Sequence, residues 1–137
     1  MDPVFMKKIK DKKVLIKVDS ITIAAELLDT PTAHALLAAL PCTASIRTWG
    51  DEIYFPLALG TGPEADAREV VEAGELAYWP EGGCIAIGFG PTPVSRGEEI
   101  RLVAPVNIWG LTAGSEVENL ATVSAGATAS MEAATAG

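Results

Sequence analysis

The chain has 137 residues, of which 49% are apolar, and a net charge of −8. That length suits one domain whose core buries roughly two-thirds of the unfolded surface, without disulfide or metal staples. The acidic balance excludes a general binder of phosphate backbones or of anionic membrane surfaces, because both depend on clustered Lys and Arg; neither nucleic acid nor membrane is expected as a partner.

Residues 1–13 are expected to be an N-terminal extension and lysine-rich lead-in. Residues 1–5, ahead of Met6, read as an expression scar or an upstream start, and the opening MDPVFMKKIK lacks the apolar core of a secretory signal. No apolar run approaches the ~20 residues of a transmembrane helix. A soluble, cytoplasmic protein is therefore expected. Lys7, Lys8, Lys10, Lys12 and Lys13 read as the solvated end of an edge strand, where lysine discourages pairing with other chains.

Residues 14–18 and 21–27 are β-branched and apolar around Asp19 and Ser20, which predicts a hairpin. Asp29 or Thr30 then caps a short helix over about 31–40, with Pro31 in the first turn, where its missing N–H costs nothing. Ala33, Leu36, Leu37 and Leu40 share the face that packs on a sheet, and Pro41 stops the helix. His34 lies at the flank of that face as a partly exposed packing residue.

Residues 43–49 alternate loosely, Gly50 and Asp51 turn the chain, and 52–59 (EIYFPLAL) form a strand whose Pro56 needs an edge or a bulge. Arg47, Trp49, Asp51, Glu52 and Tyr54 bring one cation, two acids and two aromatics into one hairpin. Residues from Arg68 onward read as extended. The stretch GELAYWPEGGCIAIGFGPTPVS, residues 74–95, reads as two buried strands joined by Glu81, Gly82 and Gly83 and ending at a proline-rich rim, a common place for a binding site. Residues 100–103 and 105–111 predict two further strands. Residues 115–137 are Ala, Ser, Thr and Gly with almost no large apolar side chain, so 114–137 is expected to be a disordered tail or a weak helix. Many short strands without crossover helices favour a barrel or sandwich.

Motif chemistry is sparse. The chain has no G-x-S-x-G elbow, no phosphate loop and no H-E-x-x-H pair. Cys42 and Cys84 read as reduced, buried thiols, and with one histidine neither a metal site nor a cofactor is expected. The adjacent acids Asp51 and Glu52, like Glu98 and Glu99, point to opposite faces of a strand and make poor acid–base pairs.

The strings ELLDTPTAHALLAALP, WGDEIYF, VVEAGELAYWP and GFGPTPVS occur in that order. They resemble a family of small prokaryotic cyclophilin-like proteins once catalogued only as a domain of unknown function, over about residues 14–111 of a barrel domain expected at 14–113. The resemblance implies a mainly β fold, a closed cyclophilin-like barrel of about eight strands with one short packed helix and a pocket on its outer face. It also implies that Arg47 matches the catalytic arginine of prolyl isomerases and that Phe89 matches a pocket phenylalanine. The ligand-binding set it suggests is Arg47, Glu52, Tyr54, Trp79, Phe89 and Thr92. The isomerase stretch F-H-R followed by F-M-x-Q-G-G is absent, because Arg47 is followed by Thr48, Trp49 and Gly50. Three functions follow: a binding protein for a small molecule or a short proline-containing peptide with little or no catalysis; a weak peptidyl-prolyl isomerase using Arg47; or a structural domain whose aromatics are core.

Overall fold

A computed structural model describes residues 7–135. The first hairpin pairs β1 (Lys8–Val18) with β2 (Ile21–Leu28), and Asp19 turns it with a left-handed φ of 54°. Alternation sends Val14, Ile16 and Val18 inward on β1, and Ile23, Ala25 and Leu27 inward on β2. Helix α1 (Pro31–Ala39) follows as expected. The Thr30 side chain caps it by accepting the Ala33 N–H, and Ala33 and Leu36 are buried in the core.

Short strands come next: β3 (Cys42–Ser45), β4 (Arg47–Thr48), β5 (Glu52–Pro56), β6 (Arg68–Val71), β7 (Glu75–Trp79) and β8 (Cys84–Gly88). The two expected strands at 100–103 and 105–111 are one continuous strand, β9 (Ile100–Leu111). After it come α2 (Gly114–Glu118), a 3₁₀ turn (Asn119–Thr122) and β10 (Thr128–Thr135).

Nine strands form an antiparallel wall in the order β3-β10-β1-β2-β9-β7-β8-β5-β4, and β6 pairs β9 off this path. The two ends of the wall are consecutive in the chain, with Ile46 between them. Cys42–Ser45 pairs with β10, and Arg47 and Thr48 pair with β5. Ile46 itself donates to the Ala127 carbonyl and accepts the Gly126 N–H. One short run of chain thus nearly closes the barrel and removes its exposed edges. The expected closed barrel of about eight strands is a nearly closed barrel of nine with two short helices.

The interior is full. Phe55, Tyr78, Trp109, Met131 and the inward aliphatics of β1, β2, β5, β7 and β8 form one cluster with Leu36, Val117 and Leu120. The Trp109 indole donates to the Ala77 carbonyl at 3.1 Å, and the Tyr78 hydroxyl accepts the Leu59 N–H at 3.0 Å.

Two expectations are corrected here. Residues 114–137 are not a disordered tail over the described part, to Thr135. β10 pairs β1 on one side, with Ile16 opposite Met131, and β3 on the other, with Cys42 opposite Met131. Ladders to two neighbours satisfy its backbone, and its inward residues Ala129 and Met131 are buried with the β-branched residues of β1. The lysine-rich segment is an edge only in part: β1 extends back to Lys8, and Lys12 and Lys13 pair with β10, whereas the β10 ladder described here does not reach residues 8–11. Of the proposed N-terminal extension, residues 1–6 lie outside the described residues.

Because Met131 is 1% exposed at the centre of the closing strand, Met131→Ala is expected to cost about 2–4 kcal/mol in urea unfolding. An unchanged midpoint would contradict the placement of β10 in the barrel wall.

Candidate functional site

With the barrel filled, a site has to lie on its outer surface, and alternation decides what stands there. On β5, Ile53 and Phe55 point inward, leaving Glu52 and Tyr54 outside. On β7, Leu76 and Tyr78 point inward, leaving Ala77 and Trp79 outside. On β8, Ile85 and Ile87 point inward, leaving Cys84, Ala86 and Gly88 outside. Registers align Glu52 with Gly88, Tyr54 with Ala86, Ala77 with Ala86, and Trp79 with Cys84. The outer strip is therefore nearly flat between two rows of larger side chains.

A second, smaller core covers this flat strip. Ile100, Leu102 and Val106 from the first half of β9 and Val71 from β6 pack on Ala77 and Ala86. Ile100 lies where a Gly88 side chain would be. Tyr54 and Trp79 sit at the margin of this outer core. Between that margin and Trp49 a groove of about 220 Å³ opens, lined by Trp49, Glu52, Tyr54, Trp79 and Val103.

Local structure positions each wall. The Trp79 ring lies directly over Gly82, where any Cβ would strike its six-membered ring, so the tight Glu81-Gly82-Gly83 turn is the ring's seat. The Trp79 Nε1–H is shielded from water and has no hydrogen-bond partner among the described residues. Trp49 precedes Gly50, whose φ of 60° is left-handed and whose Cα faces the Thr92 backbone too closely for a side chain. The Asp51 N–H donates to the Pro91 carbonyl at 3.0 Å and the Phe89 N–H to the Asp51 carbonyl at 2.8 Å. The proline rim thus holds the turn that presents Trp49. Val103, 53% exposed, forms the outer lip.

Glu52 is the only ionisable acid in the groove wall. It is 5% exposed, and its side chain has no hydrogen bond or ion pair among the described residues. Loss of water around the carboxylate pushes its pKa up to about 7. The Cys84 thiol is also raised, first by burial and then by the nearby Glu52 charge, against a smaller lowering by Arg47.

The sequence-derived site divides in two. Glu52, Tyr54 and Trp79 come together in the groove. Arg47 is exposed and stands opposite Tyr54 on β4, outside the groove lining. Phe89 packs against the barrel core instead. Thr92 is buried in the rim, where its N–H donates to Ser95 Oγ at 2.9 Å and its hydroxyl donates to the Arg101 carbonyl. Phe89 follows from strand phase: Gly88 takes the outward position, so Phe89 turns in. Val103 went unrecognised because nothing in an apolar strand marks one residue as a lip.

A second, more open cavity of about 600 Å³ lies by the N-terminus of α1, lined by residues 31–32 and 61–66. A buried network beneath it pins the 61–66 loop. Asn107 Nδ2 donates to Thr32 Oγ1 and the Gly62 carbonyl, each at 3.0 Å, and Asn107 Oδ1 accepts the Glu64 N–H. Glu64 Oε2 accepts from the Thr32 N–H and hydroxyl. The signal in the sequence was Asn107, one polar residue inside an apolar strand. His34 is exposed, with Nε2 2.6 Å from Asp29. Among the described residues no three His, Cys, Asp or Glu side chains are placed to hold a metal.

The Cyclophilin-like family profile matches residues 12–132, nearly the whole barrel. The chain belongs to the cyclophilin-like family. This cyclophilin-like chain is also similar to the hypothetical protein AF2241 from Archaeoglobus fulgidus, with 31% identity and a TM-score of 0.74 over 92% of this chain and 96% of that one. It shares its fold with McbB, solved in complex with tryptophan, at 16% identity and a TM-score of 0.63. That match covers 87% of this chain and 44% of McbB. The curated proteins contain no match.

Glu52 gives the site a pH signature. A carboxylate whose folded pKa is about 7 favours folding in its protonated state, so its contribution is fully present below the unfolded pKa of about 4.3 and is lost as pH rises through 7. Glu52→Gln removes this penalty. In urea titrations the variant is expected to match wild type near pH 4 and to exceed it by roughly 3 kcal/mol at pH 8. A difference that stays constant across this range would contradict the desolvated carboxylate.

Proposed function

We propose that this protein binds a small molecule, or a side chain of a short peptide, in the barrel-face groove, with little or no catalysis. The observation that carries the reading is the composition of the groove. Three aromatic rings and one buried carboxylate face an open space, the mixture of apolar walls and few polar groups typical of ligand sites. McbB, which has been solved with tryptophan, carries the same fold, and this supports a small-molecule ligand at the level of the fold.

The isomerase reading needs Arg47 beside an aromatic proline pocket. Its pocket phenylalanine, Phe89, faces the core, and this weighs against it. The structural reading makes the groove aromatics mere packing. That suits Tyr54 and Trp79 where they touch the outer core, but it leaves the largely buried Glu52 carboxylate without a partner among the described residues.

Amide and indole NMR shifts against a panel of aromatic and amino-acid fragments, tryptophan included, test the proposal. Shifts centred on Trp49, Tyr54 and the Trp79 indole, and abolished in Trp79→Ala, are expected. No shifts at these residues would favour the structural reading. Exchange peaks from X–Pro peptides that vanish in Arg47→Ala would favour the isomerase.

A further inference from the structure

We infer that the groove is an aromatic cage for an organic cation, an alkylated or quaternary ammonium group, with the Glu52 carboxylate as its counter-charge. The inference rests on the groove being the binding site and names the chemistry it selects.

Three observations point to a cation. The first is the wall itself: two indoles and a phenol around about 220 Å³. The faces of such rings carry partial negative charge and attract cations, most strongly when these are poorly hydrated. The second is the size of the space, which suits a compact group such as a methylated ammonium rather than a drug-sized ligand, whose pockets begin at about 300 Å³. The third is Glu52. It is 95% removed from solvent and faces the groove, with no donor among the described residues bonded to its side chain. A buried carboxylate is ordinarily paired, and here the open position beside it is the groove. A ligand carboxylate or phosphate would be repelled there, and a neutral ligand would leave the charge unpaired.

The groups around Glu52 permit this assignment. Tyr54 on the same strand is a cage wall. β8 contributes the Cys84 thiol, which burial keeps protonated, and Gly88 directly opposite. β7 contributes Trp79 and β9 contributes Val103, neither of which is charged. Arg101 of β9 is bound by Glu99 and Glu69. Arg47 of β4 stands opposite Tyr54, is exposed and is not part of the groove lining, and its charge is not among the causes that move Glu52. Asp51, the preceding residue, directs its carboxyl to Gly90. No lysine lines the groove.

Because Glu52 is half protonated near pH 7 in the empty groove, a permanent cation must displace that proton when it binds. Affinity for it therefore rises about tenfold per pH unit below 7 and levels off above about pH 8.

Choline and its uncharged isostere 3,3-dimethylbutan-1-ol, titrated against the full chain by NMR between pH 5.5 and 8.5, test the inference. A trimethyllysine peptide and its leucine counterpart form a second pair. Choline is expected to bind at least tenfold more tightly than the isostere at pH 8 and to move the Trp79 indole resonance. Its affinity should fall on acidification, and Glu52→Gln should lose both the cation preference and the pH dependence while still binding the isostere. Tighter binding of the trimethyllysine peptide than of choline identifies a protein-borne ammonium; the reverse identifies a free small molecule. Equal binding of choline and the isostere, or an unaltered preference in Glu52→Gln, overturns the cation assignment. If neutral fragments still shift Trp79, the groove remains a binding site and only the cage is wrong. If no probe shifts the groove residues, both readings fail.

Discussion

One short run of chain, residues 42–48, holds the fold together by pairing with β10 at one end and β5 at the other. Nearly closing a small antiparallel sheet in this way protects its ends and brings the inward side chains into one shared interior. Trp109, Tyr78, Phe55 and the aliphatics pack into one cluster in that interior. What remains is the outer surface, where strand alternation has already chosen the residues. The candidate groove is thus a consequence of closure, because the inward positions hold the barrel together and the outward ones are left for chemistry.

The outer surface alone would be a flat, wet sheet. It becomes a site because β9 is longer than the barrel wall needs. Its second half pairs with β7, while its first half pairs with β6 and lies over Ala77, Ala86 and Gly88. Small residues on the strip allow this close approach, and beside the edge of the cover Glu52 is left largely buried at the groove wall. Burying a carboxylate there destabilises the fold, a cost of the kind that persists at functional positions.

Much of this was legible in the sequence, for identifiable reasons. Period-two patterns gave the strands, Thr30 and Pro31 gave the helix start, and the D-T-P-T-A, A-Y-W-P and F-G-P-T-P strings pointed to the cyclophilin-like family, to which the chain belongs. Glu52, Tyr54 and Trp79 entered the candidate set through the family resemblance, and they do meet on one outer face, from β5 and β7 on either side of β8. The rest was hidden by tertiary context. β10 carries almost no large side chains, so its composition resembles a disordered tail, and only its two hydrogen-bonded neighbours make it a strand. Phe89 and Thr92 stand in a string that marks the family, yet one turns into the core and the other ties down the rim. The Asn107 network depends on a pairing across 75 residues that no local pattern reports.

The account turns on Glu52 being largely buried at the groove with no partner among the described residues. A carboxyl-detected ¹³C NMR titration of the ligand-free protein, with Glu52 assigned by comparison with Glu52→Gln, measures this directly. The account predicts a midpoint near 7. A midpoint at the ordinary glutamate value of about 4.3 would mean that Glu52 is hydrated or paired, and the groove would lose the charge on which its proposed chemistry depends.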